Sequence, residues 1–258
     1  MAIYTTEITS DQIASDNPIH QRLLKAYIEA VPYIQGDLLE LGVGEGRGIE
    51  WMAPKASSYL GLDKIEDAIL KLSQKFPELQ FESSVFPPVK LPDESFDTIV
   101  SFQVIEHIKN DHLFLEEIYR MLKKGGKAII STPNRLMSLS RNPWHIREYT
   151  ANELEELCKK YFDKVSMMGI AGNEKVMTYH ERNRKSVDKI MRFDVLDLQH
   201  RLPASILRIP YDLLNRFNRN SLKSQADELV MSISDDDYLL KEKNDQNLDL
   251  FCVLERKK

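Results

Sequence analysis

Hydrophobic residues along this chain alternate between short continuous runs and longer stretches in which they recur every three or four positions. The runs at 37–43 (DLLELGV), 58–63 (SYLGLD), 79–85 (LQFESSV), 95–105 (SFDTIVSFQVI) and 127–133 (KAIISTP) read as strands. The fourth is almost wholly apolar, as expected of a strand covered on both faces. Helical spacing fills the gaps: Leu23, Leu24, Tyr27, Ile28 and Val31 follow Asn17-Pro18, with Asn17 read as N-cap, and Ile65, Ile69 and Leu72 share one face. GIEWMA starts a short helix that Pro54 cuts off. NDHLFLEEIYRMLKKGG is a helix with Asn110 or Asp111 as N-cap, lysines in its last turn and Gly125-Gly126 as its stop. Thr150 and Glu153 form a capping box that opens ANELEELCKKYF, and further strands are read at 164–171 and 248–256. Strands alternating with helices predict an α/β fold, a parallel, doubly wound sheet. Ligands of such sheets bind where strands end, so the glycine loop after the first strand, Asp63 and segments 83–88, 102–108 and 132–149 should converge.

Residues 174–245 break the alternation. They contain two predicted helices split at Pro203, the second with Ile206, Leu207, Leu213, Leu214 and Phe217 as an apolar face. Between 180 and 223 ten Lys/Arg stand against five Asp/Glu. Two readings follow: a helical cap docked on the sheet's rim, or a lid that closes over substrate or touches an anionic lipid surface. The expected organisation is an N-terminal helical segment (1–35), a core (36–173), the cap insertion (174–245) and a last strand returning to the core (246–258). The SDDDY run (234–238) reads as a solvated turn or helix cap.

Composition narrows the classes. The net charge of −5 argues against bulk attraction to nucleic acid. Two distant cysteines, Cys158 and Cys252, give neither a disulfide framework nor a thiolate metal site, so no metal is assigned. The opening MAIYTTEITS has no export-signal pattern, and no apolar run reaches the roughly 18 residues of a membrane span, so a cytoplasmic protein is expected.

The chemistry centres on LLELGVGEGRG, 38–48. A dinucleotide GxGxxG pattern fails because position 47 is Arg. A GxxxGxG pattern fits Gly42, Gly46 and Gly48 and resembles short-chain dehydrogenases, which also need a Tyr-x-x-x-Lys pair. Tyr119 and Lys123 supply one, but before the fifth strand instead of after it. Glu40 points elsewhere: a carboxylate beside the loop would repel a pyrophosphate and suit an ammonium group. A nucleoside with an amino-acid tail, such as S-adenosylmethionine, meets that demand. Asp63, ending the second strand, can accept from ribose hydroxyls.

From about Gly36 to Gly169 the chain resembles the class I S-adenosylmethionine-dependent methyltransferases. LLELGVGEGRG, YLGLDKIEDAI, LPDESFDTIVSFQVIEHI, LKKGGKAIISTPN and NPWHIREYTANELEEL follow that family's order, the last as in its quinone-biosynthesis, sugar and natural-product branch. The resemblance implies a Rossmann-like, mostly parallel sheet of seven strands with an antiparallel last strand. It implies that Glu40, Gly42, Gly44 and Gly46 hold the methionine portion of the cofactor and Asp63 the ribose, with Lys64 and Ile65 beside the adenine. The family's usual adenine-binding Asp is missing after the third strand, so Ser84, Val85 and Phe86 stand in for it. Gln103 completes the cofactor set. His107 and His145 are the candidate bases; Asn134, Arg135, Trp144 and Tyr149 are candidates for substrate contact. The expected reaction is methyl transfer to a small-molecule or lipid-like acceptor, at oxygen, by a monomer or homodimer. The alternatives are a non-catalytic S-adenosylmethionine- or nucleoside-binding protein and an NAD(P)-dependent oxidoreductase.

Overall fold

The computed structural model describes residues 14–192, 194, 198–225 and 227–257; the stretch 1–13 of the expected 1–35 segment therefore lies outside it, as do 193, 195–197, 226 and 258. The strands are β1 (Asp37–Leu41), β2 (Ser58–Asp63), β3 (Gln80–Ser83), β4 (Phe96–Phe102), β5 (Leu122–Pro133), β6 (Lys164–Gly172), β7 (Tyr238–Glu242) and β8 (Asp249–Glu255). They form one sheet in the order β3-β2-β1-β4-β5-β8-β6-β7. Neighbours from β3 to β5 pair in parallel, and β8 runs antiparallel to both β5 and β6. The order reverses at β1 and β4, so the rim above those two strands is the topological switch point.

Helices α1 (Asn17–Ala30), α2 (Ile49–Met52), α3 (Glu66–Lys75), α4 (Asp111–Met121) and α5 (Ala151–Cys158) cover the sheet, and α6 (Glu174–Met191), α7 (Leu198–Arg201), α8 (Ala204–Gln225) and α9 (Asp227–Ser232) make up the insertion. Successive residues of β1 serve opposite faces. Leu39 and Leu41 join the core under α4 and α5, whereas Leu38 joins the core under α1, α2 and α3. Among the described residues, no helix is long and apolar enough to cross a membrane.

The sheet differs from the sequence expectation at three points. It has eight strands, not seven: Tyr238–Glu242, expected inside the insertion, pairs with β6 as an edge strand. Its anchor is Tyr238, buried, whose hydroxyl donates to the Pro18 carbonyl (2.6 Å). Second, helix α4 ends at Met121 and Lys123 is already strand, not a helical last turn. Leu122 pairs with Phe96, and the Lys123 ammonium bridges Asp37 and Asp97 at 2.7 Å each, at the amino ends of β1 and β4. That position, across the sheet from the site, also disposes of the dehydrogenase pair: Tyr119 donates to Asp163 instead. Third, Asp16 occupies the N-cap of α1, and Asn17 sits in the first turn, donating to the carbonyls of Val230 and Ile233 (2.8 Å each).

The insertion packs by its polar side. Arg216 and Arg219 of α8 pair with the buried Asp16, and Asn218 bonds Asn183 and Ser186 of α6. The indole of Trp144 donates to Asp212 (3.0 Å). Of the expected apolar face, Ile206, Leu213, Leu214 and Phe217 are exposed and Leu207 is half-buried. The apolar side of α8 is therefore its outer side.

Candidate active site

The glycine loop leaves β1 with Gly42, Gly44 and Gly46 at φ +85°, +54° and +77°, a backbone region that L side chains rarely adopt. A side chain at Gly46 would strike Leu72 and Ile49, so this glycine allows close packing. At Gly44 a Cβ would meet nothing within 4 Å: the loop borders open space there. Loop and second strand are tied together, since the Gly44 amide donates to Asp63 Oδ2 (2.8 Å) and the Ile65 amide to Oδ1 (3.0 Å). Each Asp63 oxygen keeps a further lone pair for a hydroxyl donor.

Glu40 is buried on β1. The Tyr59 hydroxyl donates to its Oε2 (2.5 Å), while Oε1 has no hydrogen-bond partner among the described residues. Burial pushes its carboxyl up to about 8, against the opposing pull of the Tyr59 and Tyr27 phenols. An orphaned carboxylate oxygen beside an open glycine cradle fits a cationic ammonium group, which would satisfy the oxygen and restore the charge. Tyr27 of α1 roofs this region. Its ring meets Phe102 edge-on at 4.6 Å and fills the place where Gly48 would carry a side chain.

The other cofactor candidates lie around the rim. The Ser84 amide donates to the Asp63 carbonyl (2.8 Å), which sets 84–86 beside the end of β2. Phe86 turns away to stack on Phe114 of α4 at 6.0 Å, leaving Ser84 and the exposed Val85 beside Asp63. Lys64 is exposed and Ile65 half-buried at the start of α3. Gln103 adopts φ +57°, a strained value for a residue with a side chain, and its amide is pinned to the Ser131 carbonyl (2.8 Å). That bend turns the chain from β4 into the single helical turn Ile105–His107.

Here a second space opens. A cleft of about 240 Å³ lies between α1, the Ile105–His107 turn, the 138–148 loop and the insertion, with Arg22, Gln103, His107, His145, His180 and Tyr211 in its walls. The glycine loop and Asp63 do not line it; Gln103 is the cofactor candidate that does. His107 Nδ1 lies 2.9 Å from the Trp144 carbonyl, which can only accept, so the proton sits on Nδ1 and the basic lone pair on Nε2. The His145 ring stands edge-on at 4.9 Å. His145 donates from Nδ1 to Glu148 (2.6 Å) and accepts from Asn142 at Nε2 (2.8 Å), so both its nitrogens are engaged in holding the loop. Glu148 is held low: burial opposes ionisation, but the bonds from His145 and Ser138 outweigh it.

Glu106, next to His107 in the sequence, is a cleft-wall residue that no sequence pattern singled out. Its carboxylate is buried in the cleft wall, accepts from Thr132 (2.9 Å), and is pushed up to about 7 by burial. Ligating atoms of Glu106, His107 and His145 lie within 4.8 Å of one another. A metal ion there would have to displace partners already on both His145 nitrogens. Asp249, pushed up to about 6 by burial, pairs with Arg22 of the cleft wall at 3.1 Å. His180 is pushed down to about 4 by burial and by Arg22 and Arg184, and is neutral.

None of the four substrate candidates reaches this cleft. Asn134 is fully buried, donating to the carbonyls of Asp245 and Asn247 and accepting from the Leu136 amide: it knots the end of β5 to the turn before β8. Arg135 pairs with Glu153 at the surface. Tyr149 is buried with its hydroxyl on Asp111 (2.7 Å). Trp144 contributes its carbonyl to His107 while its ring carries Arg208 at 4.2 Å.

Residues 39–130 match the family model described as a methyltransferase domain. A probable S-adenosylmethionine-dependent methyltransferase of Mycolicibacterium smegmatis is 36% identical over 159 residues, 59% of this chain and 62% of that protein. A ubiquinone biosynthesis O-methyltransferase of Pelagibacter ubique is 30% identical over 132 residues, 47% of this chain and 55% of that one. Among solved structures, an S-adenosylmethionine-dependent methyltransferase of Thermotoga maritima, titled a possible histamine N-methyltransferase, superposes with a TM-score of 0.58 at 18% identity, over 93% of this chain and 92% of that one. The fold is that of the class I methyltransferases. Residues 39–130 are thus similar to a methyltransferase domain, and the chain is similar over 159 residues to an S-adenosylmethionine-dependent methyltransferase. It spans less than two thirds of the length of these curated relatives.

Proposed function

We propose that this protein is a cytoplasmic S-adenosylmethionine-dependent methyltransferase acting on a hydroxyl oxygen of a small-molecule acceptor held in the cleft beneath α8. The observation that carries the cofactor reading is Glu40 Oε1, a buried oxygen without a partner beside the open cradle at Gly44. Glu40 and the glycine loop would hold the amino-acid end, Asp63 the ribose, and Ser84 with Val85 would flank the adenine. The bound cofactor supplies an activated methyl group on a sulfonium, so the protein's tasks are alignment and removal of the acceptor's proton. His107 suits the second task. The Trp144 carbonyl fixes its tautomer and leaves Nε2 as the base, at the wall of the cleft. His145, Asn142 and Glu148 position the loop that carries that carbonyl. The two free, buried cysteines accord with a reducing compartment.

The test is label transfer from methyl-labelled cofactor to a panel of phenol, quinol, sugar and hydroxy-fatty-acid acceptors, beside calorimetry with S-adenosylhomocysteine. Product methylated at oxygen, made by the wild type and nearly abolished in His107→Ala, is the expected result. Product hydrolysis that places the label on nitrogen or carbon would overturn the oxygen assignment. Tight S-adenosylhomocysteine binding without transfer to any acceptor class would favour a non-catalytic binding protein.

A further inference from the structure

Among the described residues, the outward side of α8 has no partner. Ile206, Ile209, Leu213 and Phe217 follow one another at steps of three and four residues and so form a single stripe, and Leu214 widens it. Ile209 is 73% exposed, Leu213 68% and Phe217 70%. A surface helix ordinarily turns such a stripe inward. Here the inward side is already used by polar groups: Arg216 and Arg219 on Asp16, Asn218 on Asn183 and Ser186, and Tyr211 in the cleft wall. The apolar stripe therefore faces out because the other side is docked.

Charge says what should cover it. Residues 180–223 carry ten Lys/Arg against five Asp/Glu in a chain of net charge −5. Arg182 and Lys189, one turn on either side of Ser186 where α6 meets α8, are exposed, as are Arg192, Arg201 and Arg208. Of the acids, Glu181 is held by Arg184 and Lys185, Asp194 caps the start of α7, and Asp212 accepts from Trp144, while Asp188 stays in solvent. A second copy of the chain seated on the stripe would bring two basic caps face to face, since a twofold interface uses the same patch on both subunits. A surface of negative charge over an apolar interior complements both the stripe and its basic surroundings.

We propose that α8 docks in the plane of an anionic lipid bilayer through Ile206, Ile209, Leu213 and Phe217, with the surrounding arginines and lysines against the headgroups. The inner side of the same helix walls the cleft, so docking sets the cleft's outer wall against the lipid surface. The proposal stands apart from the identity of the methyl acceptor.

The test is cosedimentation of the full chain with vesicles of phosphatidylcholine alone or mixed with phosphatidylglycerol. Wild type should pellet with the mixed vesicles, much less with neutral ones, and less as salt is raised. Leu213→Asp/Phe217→Asp should bind about a hundredfold more weakly, about tenfold for each large side chain withheld from the apolar phase. Its melting temperature and S-adenosylhomocysteine affinity should match wild type, which separates lost docking from lost fold. Lys189→Glu/Arg201→Glu, which leaves the stripe intact, should lose most of the preference for phosphatidylglycerol. Wild type that stays in the supernatant with mixed vesicles overturns the proposal, as does a stripe variant that pellets like wild type. So does a wild-type dimer, split by the stripe substitutions and indifferent to vesicles, since the face would then join copies of this chain.

Discussion

The two spaces at the rim of this sheet are built on different principles. The proposed cofactor cradle is local: a strand, three glycines at positive φ and two carboxylates at the ends of neighbouring strands, Glu40 and Asp63, assembled within 26 residues of chain, 38–63. The proposed acceptor cleft is dispersed, its walls coming from α1, the turn after β4, the 138–148 loop, α6 and α8. Among the described residues the cradle has one buried oxygen without a hydrogen bond, Glu40 Oε1; the cleft wall has the Arg22–Asp249 ion pair, whose buried atoms also lack hydrogen-bond partners, beside side chains that hold one another. A cofactor shared by many enzymes can be met by a fixed motif, whereas the acceptor is recognised by whatever the connecting segments bring together.

Substitutions on the two sides should separate accordingly. The largest effect is expected in the cleft: His107→Ala should lower turnover by about 10²–10⁴ while S-adenosylhomocysteine affinity, measured by calorimetry, stays within about twofold. If cofactor affinity fell with turnover, the two spaces would be one site. Next, Glu40→Ala should weaken S-adenosylhomocysteine binding by roughly tenfold to a hundredfold, the worth of a charge-assisted hydrogen bond to a buried group. Unchanged affinity in that titration would remove Glu40 from the cradle.

Asn134→Ala should act on neither space but on the fold. It strips donors from the Asp245 and Asn247 carbonyls and should cost about 1–3 kcal/mol in a denaturant melt, with cofactor binding retained. A loss of acceptor affinity at unchanged stability would return it to the substrate side.

The smallest effect is pH dependence, and it has a definite sign. Asp249, Glu106 and Glu40 hold their protons up to about 6, 7 and 8 when folded, whereas an unfolded chain releases them near 4 to 4.5. The folded state thus binds more protons between those limits. The ligand-free protein should lose stability as pH rises through 6, 7 and 8, read as a falling melting temperature. Glu40→Gln should flatten the uppermost part of that fall. Cofactor affinity should move the opposite way: an ammonium beside Glu40 favours its ionised form, so binding releases a proton and tightens as pH rises towards 8, by at most about tenfold per pH unit. A pH-independent affinity in wild type would contradict the placement of Glu40 beside a cation.

How much of this was legible in the sequence follows the same division. The positions of Glu40, the glycines and Asp63 at the ends of β1 and β2 were readable because strand ends are marked by apolar runs. The Thr150–Glu153 capping box was readable for the same reason, being complete within four residues. Asn134, Arg135 and Tyr149 misled because polar residues after a strand look alike whether they face a ligand or tie the backbone; only Asp245, Asn247, Glu153 and Asp111, distant in sequence, decide it. Lys123 was read as a helix end because no local pattern announces the two carboxylates that hold it. Periodicity found the apolar stripe of α8, but periodicity carries no direction. The stripe's outward turn depends on Asp16, some 200 positions away.

Helix α1 touches both spaces. Its first turn is tied to the insertion and edge strand through Asp16, Asn17 and the Pro18 carbonyl, and its third turn lays Tyr27 over the glycine loop. It therefore behaves as a beam clamped at one end to the cap and resting at the other on the cofactor loop. Displacing α1 would therefore break its contacts with the cap and its cover over the glycine loop together.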